Sequence, residues 1–207
     1  PTGYLAYQVF GSGEPDILFN TSALKNLDAI WDEPSAVRFF DRLAGMGRVI
    51  HYDMRGCGVS DPISNRDMWL PIDANVDDIT AVLDAVGSER AVVYADVEGG
   101  FSAMVFAATN PGRVSSLVLV NPLARLMRSD DYPIGMPPEV ARTLSDLYVA
   151  QHGTTGAILE LTAPSVAEDP RFRAWWVRYS RLAIPMGLAR TTFDWFQEVD
   201  VRPALPL

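Results

Sequence analysis

Short apolar runs alternate along the chain with longer stretches in which apolar residues recur every three or four positions. Tyr4–Phe10 (YLAYQVF) is rich in aromatic and β-branched residues and closes on Gly11-Ser12-Gly13, which predicts a strand entering a turn. Asp16–Asn20 (DILFN), Arg48–Tyr52 (RVIHY), Ala91–Ala95 (AVVYA) and Ser116–Asn121 (SLVLVN) have the brevity and apolarity of buried strands. Between them, Val37, Phe40 and Leu43 share one face of a helix that starts near Ser35 and that Gly45 and Gly47 can end. Ile72, Val76, Ile79, Leu83 and Val86 line a second helix over Asp73–Val86, with Gly87 placed for a left-handed cap. Gly99–Thr109 forms a third, which Pro111 terminates. Strands alternating with amphipathic helices give an α/β fold, a doubly wound and mostly parallel sheet covered on both faces.

After Pro122 the strand pattern stops and helical stretches follow, at Glu139–Gln151, Gly156–Leu161, Pro170–Leu182 and Gly187–Glu198. They predict a helical cap over the carboxyl edge of the sheet, where open α/β sheets bind ligands. The expected division is a core at 1–121, a cap at 122–200 and, at 201–207, a return towards a core segment that is missing. Pro1 is not a translation start, so the sequence reads as a piece truncated before the last strands. Ser116–Asn121 is then an unpaired apolar edge, expected to be covered by further chain or by a second copy.

Composition narrows the chemistry. A net charge of −9 with no basic cluster speaks against nucleic acid and anionic membranes as partners. One cysteine, Cys57, rules out an internal disulfide and leaves a cysteine-based metal site without ligands; no metal and no cofactor are expected. No apolar run approaches the roughly 20 residues of a membrane helix, and Pro1–Phe10 lacks a secretion signal, so a soluble, cytoplasmic protein is expected.

Two motifs carry the chemistry. His51-Tyr52-Asp53-Met54-Arg55-Gly56-Cys57-Gly58-Val59-Ser60-Asp61 contains the string Asp-x-Arg-Gly-x-Gly-x-Ser after a strand. Val92–Gly100 (VVYADVEGG) has the strand-turn-helix setting of a nucleophile elbow, with Ala95 and Gly99 at its small-residue positions. With Ala107–Val114 (AATNPGRV) and Leu117-Val118-Leu119, these resemble α/β hydrolases of the esterase and haloperoxidase type. Trp31-Asp32-Glu33-Pro34, Asp131-Tyr132-Pro133, Ala163-Pro164-Ser165, Arg173-Ala174-Trp175-Trp176 and Asp200-Val201-Arg202 resemble a narrower group, actinobacterial modules often joined to adenylate or guanylate cyclase or helix-turn-helix domains. That resemblance implies a signalling context and a fused effector domain.

The chain departs from the family pattern where the pattern does its chemistry. The elbow residue is Val97, and an isopropyl group cannot form an acyl-enzyme. The two histidines, His51 and His152, precede the elbow and lie in the cap, outside the position the resemblance gives a triad histidine. Asp96 is a weak candidate nucleophile, since shifting the register puts Glu98 where a small residue is needed. Cys57 reads as a small residue rather than a reactive thiol, and Asp53 and Arg55 as a charge-assisted pair bracing their loop. A β-branched residue is poorly suited to the positive φ of an elbow, so the Asp96-Val97-Glu98 turn is expected to relax to negative φ. The resemblance places the two N–H groups of an oxyanion hole at Glu98 and about Ala23, where Thr21-Ser22 replace the family's Pro-Gly or His-Gly.

Trp175, Trp176, Tyr179, Trp195 and Phe196, with Met127 and Met186, are candidates to line an apolar pocket above the elbow, although packing of the cap onto the sheet accounts for the same spacing. Ala23, Val97, Glu98, Trp175, Trp176 and Trp195 are thus the candidate ligand-binding residues. The expected function is a silent α/β-hydrolase-like module that binds a small apolar molecule or a partner and regulates an attached domain. The alternative is a genuine hydrolase of an ester, epoxide or similar bond, whose remaining catalytic residues lie beyond residue 207.

Overall fold

The computed structural model describes residues 3–20, 23–63 and 71–207. Strands β1 (Tyr7–Phe10), β2 (Asp16–Asn20), β3 (Arg48–Tyr52), β4 (Ala91–Asp96) and β5 (Val114–Val120) form one sheet in the order β1-β3-β2-β4-β5. β1 runs antiparallel to β3 and the other pairs are parallel, so the sheet is mixed. β1 is shorter than the apolar run predicted. Ahead of it the Tyr4 and Ala6 amides donate to the Asp61 carboxylate and the Ser60 hydroxyl, which takes them out of the ladder.

Side chains alternate across a strand, and the two faces follow from this. Leu18, Ile50, Tyr52 and Val93 point to the face covered by helices α2 (Ile72–Ala85) and α3 (Gly99–Thr109), where Ile79, Leu83, Phe101 and Phe106 are buried against them. Their neighbours Phe19, Val49 and Tyr94 point to the other face and meet Phe40 of α1 (Pro34–Ala44). The starts and stops are local. The Glu33 side chain accepts from the Ser35 amide ahead of α1, and Gly87 takes φ +66° after α2, as its sequence position predicted.

Beyond β5 the chain is helical: α4 (Pro138–Gln151), α5 (Leu159–Thr162), α6 (Pro164–Ala167), α7 (Pro170–Ala183) and α8 (Met186–Glu198). α5 begins later than predicted because Gly156 sits at φ +67°, outside helical space. α6, four residues opened by Pro164, is too short for a periodicity to announce it. The cap returns beside its own start, where the Val201 amide donates to the Ala124 carbonyl at 2.8 Å. β5 is an edge of this sheet, with Val118 and Val120 exposed. Among the described residues, no helix is long and apolar enough to cross a membrane.

Candidate functional site

The site is built where β4 gives way to α3. Val97 connects them at φ +41°. This overturns the expectation of a relaxed turn, and the reason lies on both sides of it. The Val97 amide donates to Val120 O on β5 at 3.1 Å, while Gly100 N and Phe101 N already bond back to Val97 O and Glu98 O. From β2, the Asn20 side-chain Nδ2 donates to Gly99 O at 2.8 Å and to Ser102 Oγ at 3.1 Å. A connection this short between a buried strand and a buried helix has no slack, so the strain of about 1–3 kcal/mol is held by its neighbours.

The turn thrusts Val97 into a cavity of about 480 Å³ beneath the cap, and Val97 remains 40% exposed there. Ala23, Leu24 and Glu98 line its floor, and Tyr148, Trp176, Phe193 and Phe196 line its walls. Glu98 brings the carboxylate into an otherwise largely apolar lining, and its Oε1 accepts from the Ala23 amide at 3.2 Å. Ala23 was the expected second oxyanion donor. Its N–H here serves the side chain of the residue after the elbow. Thr21 and Ser22 lie outside the described residues.

The tryptophans divide. Consecutive helical residues point about 100° apart, and of the two only Trp176 reaches the elbow cavity. Trp175 lines a second cavity, which Trp176 also borders; the Trp175 indole N–H donates to Ala29 O at 2.9 Å and its ring stacks on Tyr179 at 4.8 Å. Trp195 does not line the elbow cavity: it packs edge-on against Phe101 and borders a smaller pocket with Ala23 and Phe196. Met136 occupies the place expected of Met127 and Met186, the latter being 53% exposed. Tyr148, Phe193, Leu126 and Leu144 were missed, because amphipathic spacing does not tell a cavity wall from a packing face.

Asp96 lies on the strand face opposite to the elbow cavity, lining the cavity that Trp175 faces. His51 lines that cavity too, and burial pushes its imidazole well below its ordinary pKa, so it is uncharged. Nε2 of His152 lies 2.9 Å from Ile184 O in the packed interior of the cap. Neither histidine lines the elbow cavity. Cys57 is buried, and burial pushes its thiol up to about 12, which leaves no thiolate at neutral pH.

The Asp-x-Arg-Gly-x-Gly loop works differently from the pair expected. Arg55 reaches away to Asp78 on α2, donating through Nε at 2.7 Å and also through Nη2. Asp53 instead accepts from the Leu27 amide at 3.2 Å and the Val59 amide at 2.9 Å, tying two loops together. A side chain at Gly58, φ +54°, would put its Cβ 1.8 Å from Asp53 Oδ2, which explains the second glycine of the motif. Among the described residues, no three histidine, cysteine or acidic side chains gather as metal ligands.

A profile of the family described as alpha/beta hydrolase fold matches residues 30–206. The chain belongs to the alpha/beta hydrolase fold family. Among its relatives in this family, 3-oxoadipate enol-lactonase 1 of Acinetobacter baylyi is 28% identical over 150 residues, which are 72% of this chain and 52% of that protein. A non-heme chloroperoxidase of Streptomyces lividans is 38% identical over 96 residues, 45% of this chain and 33% of that protein. The enol-lactonase structure from Burkholderia xenovorans superposes with a TM-score of 0.72 at 22% identity, over 99% of this chain and 74% of that one. The hydrolase fold with esterase- and haloperoxidase-type relatives is therefore as the motifs implied. This chain spans about half or less of the length of these curated relatives.

Proposed function

We propose that this member of the alpha/beta hydrolase fold family binds an apolar small molecule in the cavity above Val97 and forms no acyl-enzyme at its elbow. One observation carries the proposal. The elbow is kept, with its positive φ and its cavity, yet its side chain is an isopropyl group and the neighbouring Ala23 amide is engaged by the Glu98 carboxylate. An oxyanion would need that amide, and a nucleophile would need a hydroxyl, thiol or carboxylate at position 97. A largely apolar cavity of about 480 Å³ is within the range of small-molecule sites. Control of an attached signalling domain is the finer part of this proposal and rests on the motif resemblance alone.

A second reading, genuine hydrolysis, is favoured by the relatives. Taken by themselves, an enol-lactonase and a chloroperoxidase speak for catalysis more than for a regulatory module. In that reading the residues completing the reaction lie outside 1–207, or Asp96 or a bound water serves in place of a serine. The two readings separate on turnover of p-nitrophenyl esters and styrene oxide by the full-length protein, beside Val97→Ser and Asp96→Asn. The binding reading predicts saturable uptake of the ester without release of nitrophenol. Turnover by the unmodified protein that disappears in Asp96→Asn would overturn it.

A further inference from the structure

Four of the side chains lining the cavity above Val97 carry oxygen: Glu98, Tyr148, Thr162 and Thr192. Three of them offer a ligand little. Thr162 Oγ1 donates to Ile158 O at 2.9 Å, and Glu98 Oε1 accepts from the Ala23 amide at 3.2 Å. Thr192 Oγ1 is sealed by burial, so nothing in the cavity can reach it. The Tyr148 hydroxyl differs. Tyr148 is half-buried, and among the described residues its oxygen has neither a hydrogen-bond partner nor the burial that seals Thr192 Oγ1. It comes from α4, and the Glu98 carboxylate and the buried Cys57 both act on its phenol, which turns the hydroxyl towards the floor of the cavity.

A donor left unmet in an apolar wall is costly. A water at this hydroxyl would find few of the roughly two to four polar partners it needs, so the oxygen of a bound molecule is the better acceptor. Burial and the Glu98 carboxylate hold the phenol well above its ordinary pKa, and it stays a neutral O–H donor. A carboxylate on the ligand would meet Glu98 as a like charge. An ammonium is not called for either, since the Glu98 carboxylate already has the Ala23 amide and acts on the Lys25 ammonium. What fits is an uncharged molecule, carbon over most of its surface, with an oxygen where Tyr148 can reach it.

We propose that the cavity above Val97 takes an uncharged, largely hydrocarbon molecule whose carbonyl oxygen accepts from Tyr148 Oη while its skeleton packs against Phe193 and Phe196. This rests on the reading of that cavity as a small-molecule site. Calorimetric titrations of the full-length protein with 2-acetylnaphthalene, 2-ethylnaphthalene, 1-(2-naphthyl)ethylamine and 2-naphthoate test it, since the four share a two-ring skeleton that about 480 Å³ accommodates and differ in one polar group. Tyr148→Phe should weaken the ketone about five-fold or more, the worth of one neutral hydrogen bond, and leave the hydrocarbon within about two-fold. Both charged analogues should bind about ten-fold or more weakly than the ketone. In the unmodified protein the carbonyl stretch of the bound ketone should lie below its frequency in hexane, a readout that stands even if Tyr148→Phe fails to fold. An equal response of ketone and hydrocarbon to Tyr148→Phe, a charged analogue binding more tightly than the ketone, or a carbonyl stretch as in hexane would overturn the proposal and leave the small-molecule reading standing. Failure of all four to bind would overturn both.

Discussion

Replacing Val97 by glycine sets three effects against one another. Relief of a left-handed backbone, at φ +41°, returns about 1–2 kcal/mol. Val97 is 40% exposed, so about three-fifths of the roughly 1.5–3 kcal/mol that full burial of a valine brings, or about 1–2 kcal/mol, is lost. The extra freedom of glycine in the unfolded chain costs about 0.5–1 kcal/mol more. Relief and lost burial offset each other, and a net cost near 0.5–1 kcal/mol is expected. Val93, inside β4, is 0% exposed and outside the left-handed region, so Val93→Gly should cost about 3 kcal/mol or more once the cavity left behind is counted. Urea unfolding of both variants, read as shifts in midpoint at unchanged slope, measures the contrast. A Val97→Gly cost as large as that of Val93→Gly would refute the claim that the scaffold holds Val97 under strain.

Other outcomes follow from the same geometry. Asp78 is 5% exposed against Arg55 at 16% in their side chains, so Asp78→Ala should strand a buried guanidinium and cost about 3–5 kcal/mol, while exposed Asp77→Ala stays within about 0.5 kcal/mol. A small loss in the first would show the pair to be dispensable. Cys57, with its thiol pushed up to about 12, should resist Ellman's reagent at pH 8 in the folded protein and react at once in urea; prompt reaction when folded would contradict its burial. The Arg48 guanidinium holds the Asp16 carboxyl below its ordinary pKa of 3.8. Its stabilisation is complete above that value and fades as pH falls through the lowered one. Asp16→Asn should therefore flatten the acid limb of the stability profile and leave its slope near neutrality alone, and an unchanged acid limb would count against the pair.

What was legible in the sequence was local. Apolar runs marked all five strands, and the helices α1 to α3 stood within a residue or two of their periodicity because glycine, proline and caps act on their own neighbours. What escaped depends on residues far apart in the chain. No local rule puts the Ala23 amide on Glu98, 75 positions away. Propensity argues against positive φ at Val97, but hydrogen bonds from β5 and β2 outweigh it. Arg55 is two residues from Asp53 in sequence and nonetheless pairs with Asp78, because α2 delivers that carboxylate to the loop. Trp175 and Trp176 look equivalent in composition, and only the roll of α7 decides which one meets the elbow cavity. Lys25, in a loop and carrying no motif, gave no sign of being buried.

Central to the proposed function is an elbow that keeps its shape without forming a covalent intermediate. Intact-mass spectrometry of the full-length protein after incubation with p-nitrophenyl butyrate addresses this directly, with peptide mapping across Asp96-Val97-Glu98. An unmodified mass, with the ester recovered intact, is the predicted result. A butyryl adduct on that tripeptide would contradict it.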